Sequence, residues 1–256
     1  SPEFKFMASN NCTVYSIAEP GYATALEFND GKIMMAQMES IDEMTWDTVK
    51  SVVGVDNLKQ FFHHSDLLGM VNWSEVENSS IIWKGILKEV LQGHRQNKDQ
   101  IMYFDLSDCS KRRNEDIRNA LHLMREFTGH YKVIFGMNEN EARLVYKALY
   151  PDEECNSLFD IGSRIYETVG TDVLVIHPRD CSMAWDKNGS CTADNYYIDL
   201  PKISTGGGDN FNAGLCMAQL LGVDLKGSLI VANAASGFYV KNGCSPTFTQ
   251  LVEFLT

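Results

Sequence analysis

Short apolar runs alternate with longer stretches of helical spacing from residue 41 to residue 256. The runs LLGMVNW (67–73), IMYFDL (101–106), KVIFG (132–136) and DVLVIH (172–177) read as buried strands. Between them, apolar residues recur at helical spacing over 45–54, 55–64, 80–92, 113–127, 139–149 and 157–169. Strands alternating with helices of this length predict right-handed crossovers and a mostly parallel central sheet flanked by helices. The pattern changes at both ends of that region. Residues 182–198 read as a hairpin turning at Lys187-Asn188-Gly189. Residues 12–38 hold three short β-prone segments, separated by Glu19-Pro20-Gly21 and by the hairpin signal Asn29-Asp30-Gly31. The expected organisation is an α/β domain over 39–256, a small antiparallel β element over 12–38, and a disordered start over 1–11. The opening Ser1-Pro2-Glu3-Phe4 reads as a tag remnant.

Charge and cysteine content narrow the function classes. A formal net charge of −12 repels nucleic-acid backbones, so nucleic acid is not expected as a partner. No apolar run is long enough to span a bilayer, and no membrane association is expected. Seven cysteines without a C-x-x-C spacing argue against both a zinc site and a disulfide framework, which suits a reducing cytoplasm.

The candidate chemistry lies in STGGGDNFNAG, Ser204 to Gly214. Phe211, Leu215, Ala218 and Leu221 define one apolar helical face, so Gly206, Gly207 and Gly208 lie immediately N-terminal to a helix. Amides there have no helical partner, and together with the helix dipole they form an anion site. Glycine lets an anion approach the backbone without a Cβ in the way. Asp209 beside a bound phosphate would repel it unless it accepts a proton from an attacking hydroxyl. A flexible turn with Asp209 as a helix cap accounts for the four residues equally well on their own.

The same stretch resembles the C-terminal signature of the ribokinase-like (PfkB) carbohydrate kinases, Thr-x-Gly-Ala-Gly-Asp-x-Phe. Ser204, Gly206, Gly208, Asp209 and Phe211 occupy its positions, with Gly207 where alanine is common. Asn138-x-x-Glu141, after the strand KVIFG, matches the family's N-x-x-E motif. The resemblance implies a ribokinase-like fold with a β lid over 12–38, and ATP-dependent phosphorylation of a hydroxymethyl group on a sugar-like small molecule. Asp209 would be the base, and the Gly206–Asp209 amides the anion hole. Asn138 would meet a phosphate oxygen, Glu141 would hold the water shell of Mg²⁺, and Asn233 would lie near the adenine. A homodimer through the lid is expected from its apolar positions.

Two departures accompany the resemblance. The family's Thr-x-Gly-x-x-Gly reads HPRDCSM here, with His177 and Arg179 replacing the threonine and first glycine and Ser182 the last. Arg179 could serve a phosphate by charge, and the identity of the nucleotide stays open. The family's leading strand, with its substrate-binding aspartate and Gly-Gly pair, has no counterpart before residue 12, and an omitted segment is the expected reason. Asn72 and Asp105 end strands where open parallel sheets bind ligands, making them candidate substrate contacts beside the plainer reading as polar turns. The rival function is a kinase-fold protein that binds nucleotide or sugar without turnover.

Overall fold

The computed structural model describes residues 2–8, 12–28 and 31–256, which fall into two compact units. The first comprises Ser1–His64 and Asn72–His94. It contains α1 (Pro2–Ala8), the hairpin strands β1 (Tyr22–Phe28) and β2 (Gly31–Gln37), α2 (Glu39–Asp42), α3 (Trp46–Val53), α4 (Val55–His64) and α5 (Ser79–Gly85). A π-helical turn, Ile86–Val90, continues α5. Trp46, Val49, Val53, Leu58, Phe62, Trp73 and Trp83 are buried in this unit. The indole of Trp46 occupies the space a Cβ on Gly85 would need, and its Nε1 donates to Glu89 Oε1 at 2.7 Å. A reciprocal Thr45–Thr48 capping box starts α3.

Three sequence expectations change here. Pro2–Ala8 is helical where a disordered start was expected. The first β-prone segment, before Glu19-Pro20-Gly21, pairs with no strand among the described residues, so the small sheet has two strands. Helical residues 39–64 and 72–94 cluster with the hairpin, whereas the sequence set a boundary after residue 38. Residues 29 and 30 of the expected turn lie outside the described residues, although β1 and β2 pair antiparallel from Tyr22↔Gln37 to Phe28↔Gly31.

The second unit, Ser65–Val71 and Arg95–Thr256, carries a six-stranded sheet in simple order. Its strands are β3 (Leu67–Met70), β4 (Ile101–Asp105), β5 (Lys132–Met137), β6 (Val173–Ile176), β7 (Cys181–Asp186) and β8 (Gly189–Asp194). β3 to β6 run parallel, and the β7–β8 hairpin adds antiparallel to β6. The crossover and following helices are α6 (Asn114–Phe127), α7 (Glu139–Leu149), α8 (Leu158–Val169), α9 (Gly207–Leu220), α10 (Leu225–Asn242) and α11 (Phe248–Leu255). β6 is buried along its whole length, as expected for a strand covered on both faces.

Strand alternation assigns the two faces. Ile101, Tyr103, Ile134, Val173, Val175 and Ala184 pack with Phe211 and Leu215 of α9 and Leu229 and Ala232 of α10. On the opposite face Phe104 meets Phe127 of α6, and Trp185 meets Phe159 of α8. α9 lies tight against α10, because a Cβ on Gly214 would come within 2.9 Å of Ala235 Cβ and 3.0 Å of Ala232 Cα. Gly214 therefore allows close helix–helix packing. Leu221, expected on the buried face of α9, is 65% exposed just past its end. Among the described residues no helix is long and apolar enough to cross a membrane.

Gly136 of β5 is the tightest point in this core, since a Cβ there would fall onto the Tyr103 hydroxyl from neighbouring β4. Gly136→Ala is expected to destabilise the protein by about 1–3 kcal/mol through overpacking, read as a lower urea midpoint. The loss should be smaller in a Tyr103→Phe background, where the hydroxyl is gone.

Candidate active site

α9 begins at Gly207, so only Gly206 of the three glycines precedes it. Gly206 has φ +93°, a left-handed conformation that favours glycine, and a Cβ there would come within 2.8 Å of the Tyr239 hydroxyl. That hydroxyl donates to the Thr205 carbonyl at 3.0 Å and pins the entry to the turn. The Gly207 N–H is spent on the Ser204 carbonyl at 3.2 Å. The N–H groups of Gly208 and Asp209 have no partner among the described residues. They are the open donors of the helix start.

A cleft of about 850 Å³ opens beside this turn, within the second unit. Gly207 and Gly208 line it, facing His177 and Arg179 after β6, Tyr196 and Tyr197 after β8, and Ser236 and Gly237 of α10. His177 stacks on Phe211 with ring centroids 4.5 Å apart. Its Cε1 lies 3.6 Å from where a Cβ on Gly208 would be. Burial pushes its pKa down to about 4, so the imidazole is uncharged at neutral pH. Asp209 is exposed and does not itself line the cleft. Its charge is felt instead by Asp105 at the carboxyl end of β4.

Asp105 is not free to meet a substrate in the way the sequence suggested. Its Oδ1 accepts the Ser107 N–H at 2.7 Å, and its Oδ2 accepts Asn212 Nδ2 at 2.7 Å. Burial raises its pKa, the Asp209 charge adds to the rise, and these two hydrogen bonds oppose it. Asn138 and Glu141 are likewise engaged with each other. Glu141 Oε2 accepts the Asn138 N–H at 2.9 Å, Oε1 accepts Asn138 Nδ2 at 2.7 Å, and Asn138 Oδ1 accepts the Glu141 N–H at 2.9 Å. This is a capping box that starts α7. Glu141 is 7% exposed, and burial followed by the Asp105 charge raises its pKa to about 7.

A model of the prokaryotic ketohexokinase family matches residues 3–256. The chain belongs to that family. The ketohexokinase of Haloferax volcanii is 28% identical over 239 residues, covering 93% of this chain and 63% of the relative. The chain thus spans less than two thirds of that relative's length. Ribokinase from Thermotoga maritima superimposes with a TM-score of 0.69 at 15% identity, covering 93% of this chain and 70% of its own. A nucleoside kinase from Methanocaldococcus jannaschii gives 0.66 at 14% identity, covering 100% and 76%. An E. coli protein solved in complex with ATP and Mg²⁺ gives 0.63 at 17% identity, covering 91% and 69%. At these identities the likenesses establish the ribokinase fold, the one expected from the glycine and N-x-x-E motifs.

The remaining candidates separate within this ketohexokinase-family fold. Arg179 is exposed on the cleft wall. Asn233 is elsewhere: it is 1% exposed, and its Nδ2 donates to the carbonyls of Ala193 and Asp194 at 3.3 and 3.0 Å. Ser236 and Gly237, one turn further along α10, line the cleft in its stead. Asn72 falls in the other unit, in a left-handed conformation with φ +59° before a 3₁₀ turn. Sequence reasoning missed Tyr103 and Asn212, whose hydroxyl and amide meet at 2.5 Å. A polar Asn212 one turn after Asp209, next to Phe211 in an otherwise apolar stretch, was the available signal.

Glu141 generates a pH prediction. Its folded pKa of about 7 exceeds the ordinary 4.5, so the folded state retains a proton that the unfolded chain has lost. Stability from this group is complete below about 4.5, is lost as pH rises through about 7, and totals roughly 3 kcal/mol. Glu141→Gln removes the titration and can keep the bond from the Asn138 N–H, while its amide nitrogen cannot accept from Asn138 Nδ2, a loss that does not vary with pH. The stability difference between wild type and Glu141→Gln, measured by denaturant melts from pH 4.5 to 8, should therefore grow with pH in favour of the variant.

Proposed function

We propose that the protein is an ATP-dependent kinase that phosphorylates a hydroxymethyl group of a sugar, with a ketohexose the first candidate. The observation that carries this reading is Asp209, solvent-open in the first turn of α9 beside the unpartnered amides of Gly208 and Asp209. The alcohol oxygen bonds to phosphorus, the bond to the ADP oxygen breaks, and the hydroxyl proton passes to the Asp209 carboxylate. Asp209 is then the general base, worth about 10²–10⁴ in rate. The amides at the start of α9, with the helix dipole behind them, stabilise charge on the transferring phosphoryl oxygens. The Gly207 N–H contributes less, since it already serves Ser204.

The cleft suits a nucleotide. Its volume fits a ligand of that size, and Cβ positions on Gly207 and Gly208 would meet nothing closer than 3.4 Å, leaving the backbone approachable. We assign Arg179 to the donor phosphates by its charge, and Tyr196, Tyr197 and Gly237 to the part of the cleft away from the turn. Uncharged His177 offers the phosphates an N–H without adding charge. Mg²⁺, when bound, neutralises phosphate charge. Among the described residues no group of three acidic or His/Cys side chains is set to grip it directly. Glu141, whose two oxygens retain lone pairs beyond the Asn138 bonds, fits a role through the ion's waters. Asn138, its amide nitrogen committed to Glu141, then acts by fixing that carboxylate.

We further assign residues 12–38 the part of a lid, and β1–β2 a homodimer contact. Tyr22, Leu26, Ile33 and Met35 share one face of that hairpin and are all exposed. A two-stranded sheet is marginal in water without a covering surface, and a second copy offers a self-complementary one. Light scattering should give a dimer mass that Ile33→Asp reduces to a monomer. The seven free cysteines suit a cytoplasmic setting.

A second reading is a kinase-fold protein that binds its ligands without turnover, favoured by the mutual satisfaction of Asn138 and Glu141. Coupled ATP consumption against ketohexoses, aldoses, nucleosides and sugar acids separates the two. Turnover with any of them removes the second reading. Asp209→Asn should retain nucleotide binding by calorimetry while turnover falls at least about a hundredfold. Near-normal turnover in that variant would end the proposed role of Asp209.

A further inference from the structure

Three polar groups, Tyr103 and Asn212 buried and Asp105 partly so, join β4 to α9 in a single chain of hydrogen bonds. The Tyr103 hydroxyl donates to Asn212 Oδ1 at 2.5 Å, and Asn212 Nδ2 donates to Asp105 Oδ2 at 2.7 Å. Asp105 Oδ1 closes the chain by accepting the N–H of Ser107, itself held at φ +61°. Tyr103 and Asp105 are two residues apart on one strand, so both project to the face that α9 covers. Asn212 lies one helical turn beyond Asp209. Its amide is thus gripped at both ends by one strand, and the helix that carries Asp209 is gripped with it.

The arrangement costs more than an apolar core would. Tyr103 is 2% exposed and Asn212 8%, positions where Phe and Leu would need no hydrogen-bond partners. β5 gives up a side chain at Gly136 so that the hydroxyl can pass. The best-attested use of such buried polar groups is to fix register. Register matters at this helix, because a slip of one residue moves its first turn by about 1.5 Å and turns it by roughly 100°. A misplacement of about 1 Å at a reacting group can cost on the order of 10² in rate.

We propose that Tyr103, Asp105 and Asn212 form a register clamp that fixes the first turn of α9, and with it Asp209 and the glycine cradle, against the carboxyl end of β4. As a statement about catalysis it rests on the kinase reading above. The three are positioning residues, and Asp105 acts through Asn212 rather than on substrate.

The donor–acceptor pattern supplies a sharp test in the full-length protein. In Asp105→Asn the wild-type arrangement leaves one amide facing two donors, Ser107 N–H and Asn212 Nδ2, and a flip of Asn212 that relieves this strands the Tyr103 O–H without its acceptor. In Asn212→Asp two carboxylates face each other. Combined, the exchanged pair restores every bond: Asn at 105 accepts from Ser107 and donates to Asp at 212, which accepts from Tyr103. Each single variant should lower kcat at least about tenfold with less than a threefold change in donor KM. Each should also speed amide hydrogen exchange over residues 210–216 at least about tenfold. The double variant should return both readouts to within about threefold of wild type. Tyr103→Phe, which removes one anchor without adding a charge, should give a milder version of both changes and covers the case of singles that fail to fold.

A double variant with exchange no slower than the worse single overturns the clamp. Restored exchange without restored kcat overturns the positioning role, because Asp105 would then act on substrate directly. If the wild type turns over no sugar, exchange alone decides the clamp, and the kinase reading fails separately.

Discussion

The position of the first turn of α9 depends on how tightly α9 and α10 are held over one face of the sheet. Alternate residues of β4 to β7 supply that face, and Phe211, Leu215, Leu229 and Ala232 fill it from above. Gly214 lets the two helices approach until its hydrogen stands where a methyl would collide with Ala235. Dispersion and burial fix the depth of the pair, and the close approach at Gly214 already restrains sliding along the axis. Directional bonds add to that restraint. The Tyr103–Asn212–Asp105 chain is such a bond set, and the Tyr239 hydroxyl on Thr205 is another, at the entry to the turn.

Charge is distributed unevenly around this turn. On one side lies the cleft, with open amides, Arg179 and an imidazole that burial keeps neutral. On the other side burial makes both Asp105 and Glu141 hold their protons more tightly than usual, with the Asp209 charge adding at Asp105 and the Asp105 charge at Glu141. On the cleft wall Asp180 stands beside Arg179, so the open amides carry most of the pull on an anion. A cation near Glu141 would offset its burial and the Asp105 charge together. Asp209 is exposed in the first turn of α9, as the proposed role of proton acceptor requires.

Much of the second unit was legible from sequence because its signals are local. The runs 101–106, 132–136 and 172–177 are β4, β5 and β6 within a residue or two, and Lys187-Asn188 turns the predicted hairpin. The helical spacing over 139–149 is likewise α7, from Glu139 to Leu149. What the sequence hid is non-local. Asp105 looked like a ligand contact because it ends a strand, yet its partner is 107 residues away at Asn212. Asn233 looked like a base contact because it sits on the right helix, but a 100° rotation per residue decides which face of α10 meets the cleft. Composition around 231–243 carries no information about that angle.

The three glycines that drew attention to the site answer to different constraints. Gly206 is demanded by the fold, since its left-handed backbone and the Tyr239 hydroxyl both exclude a side chain. Gly207 and Gly208 are not, for a Cβ at either would rest at ordinary contact distance, 3.4 Å and 3.6 Å from its nearest neighbour. Both sit in a helix, where alanine would be more stable by about 1 kcal/mol. Packing and propensity together therefore argue against glycine at these two positions. What argues for it is the space itself, which lies on the cleft wall where a bound anion would have to reach the backbone.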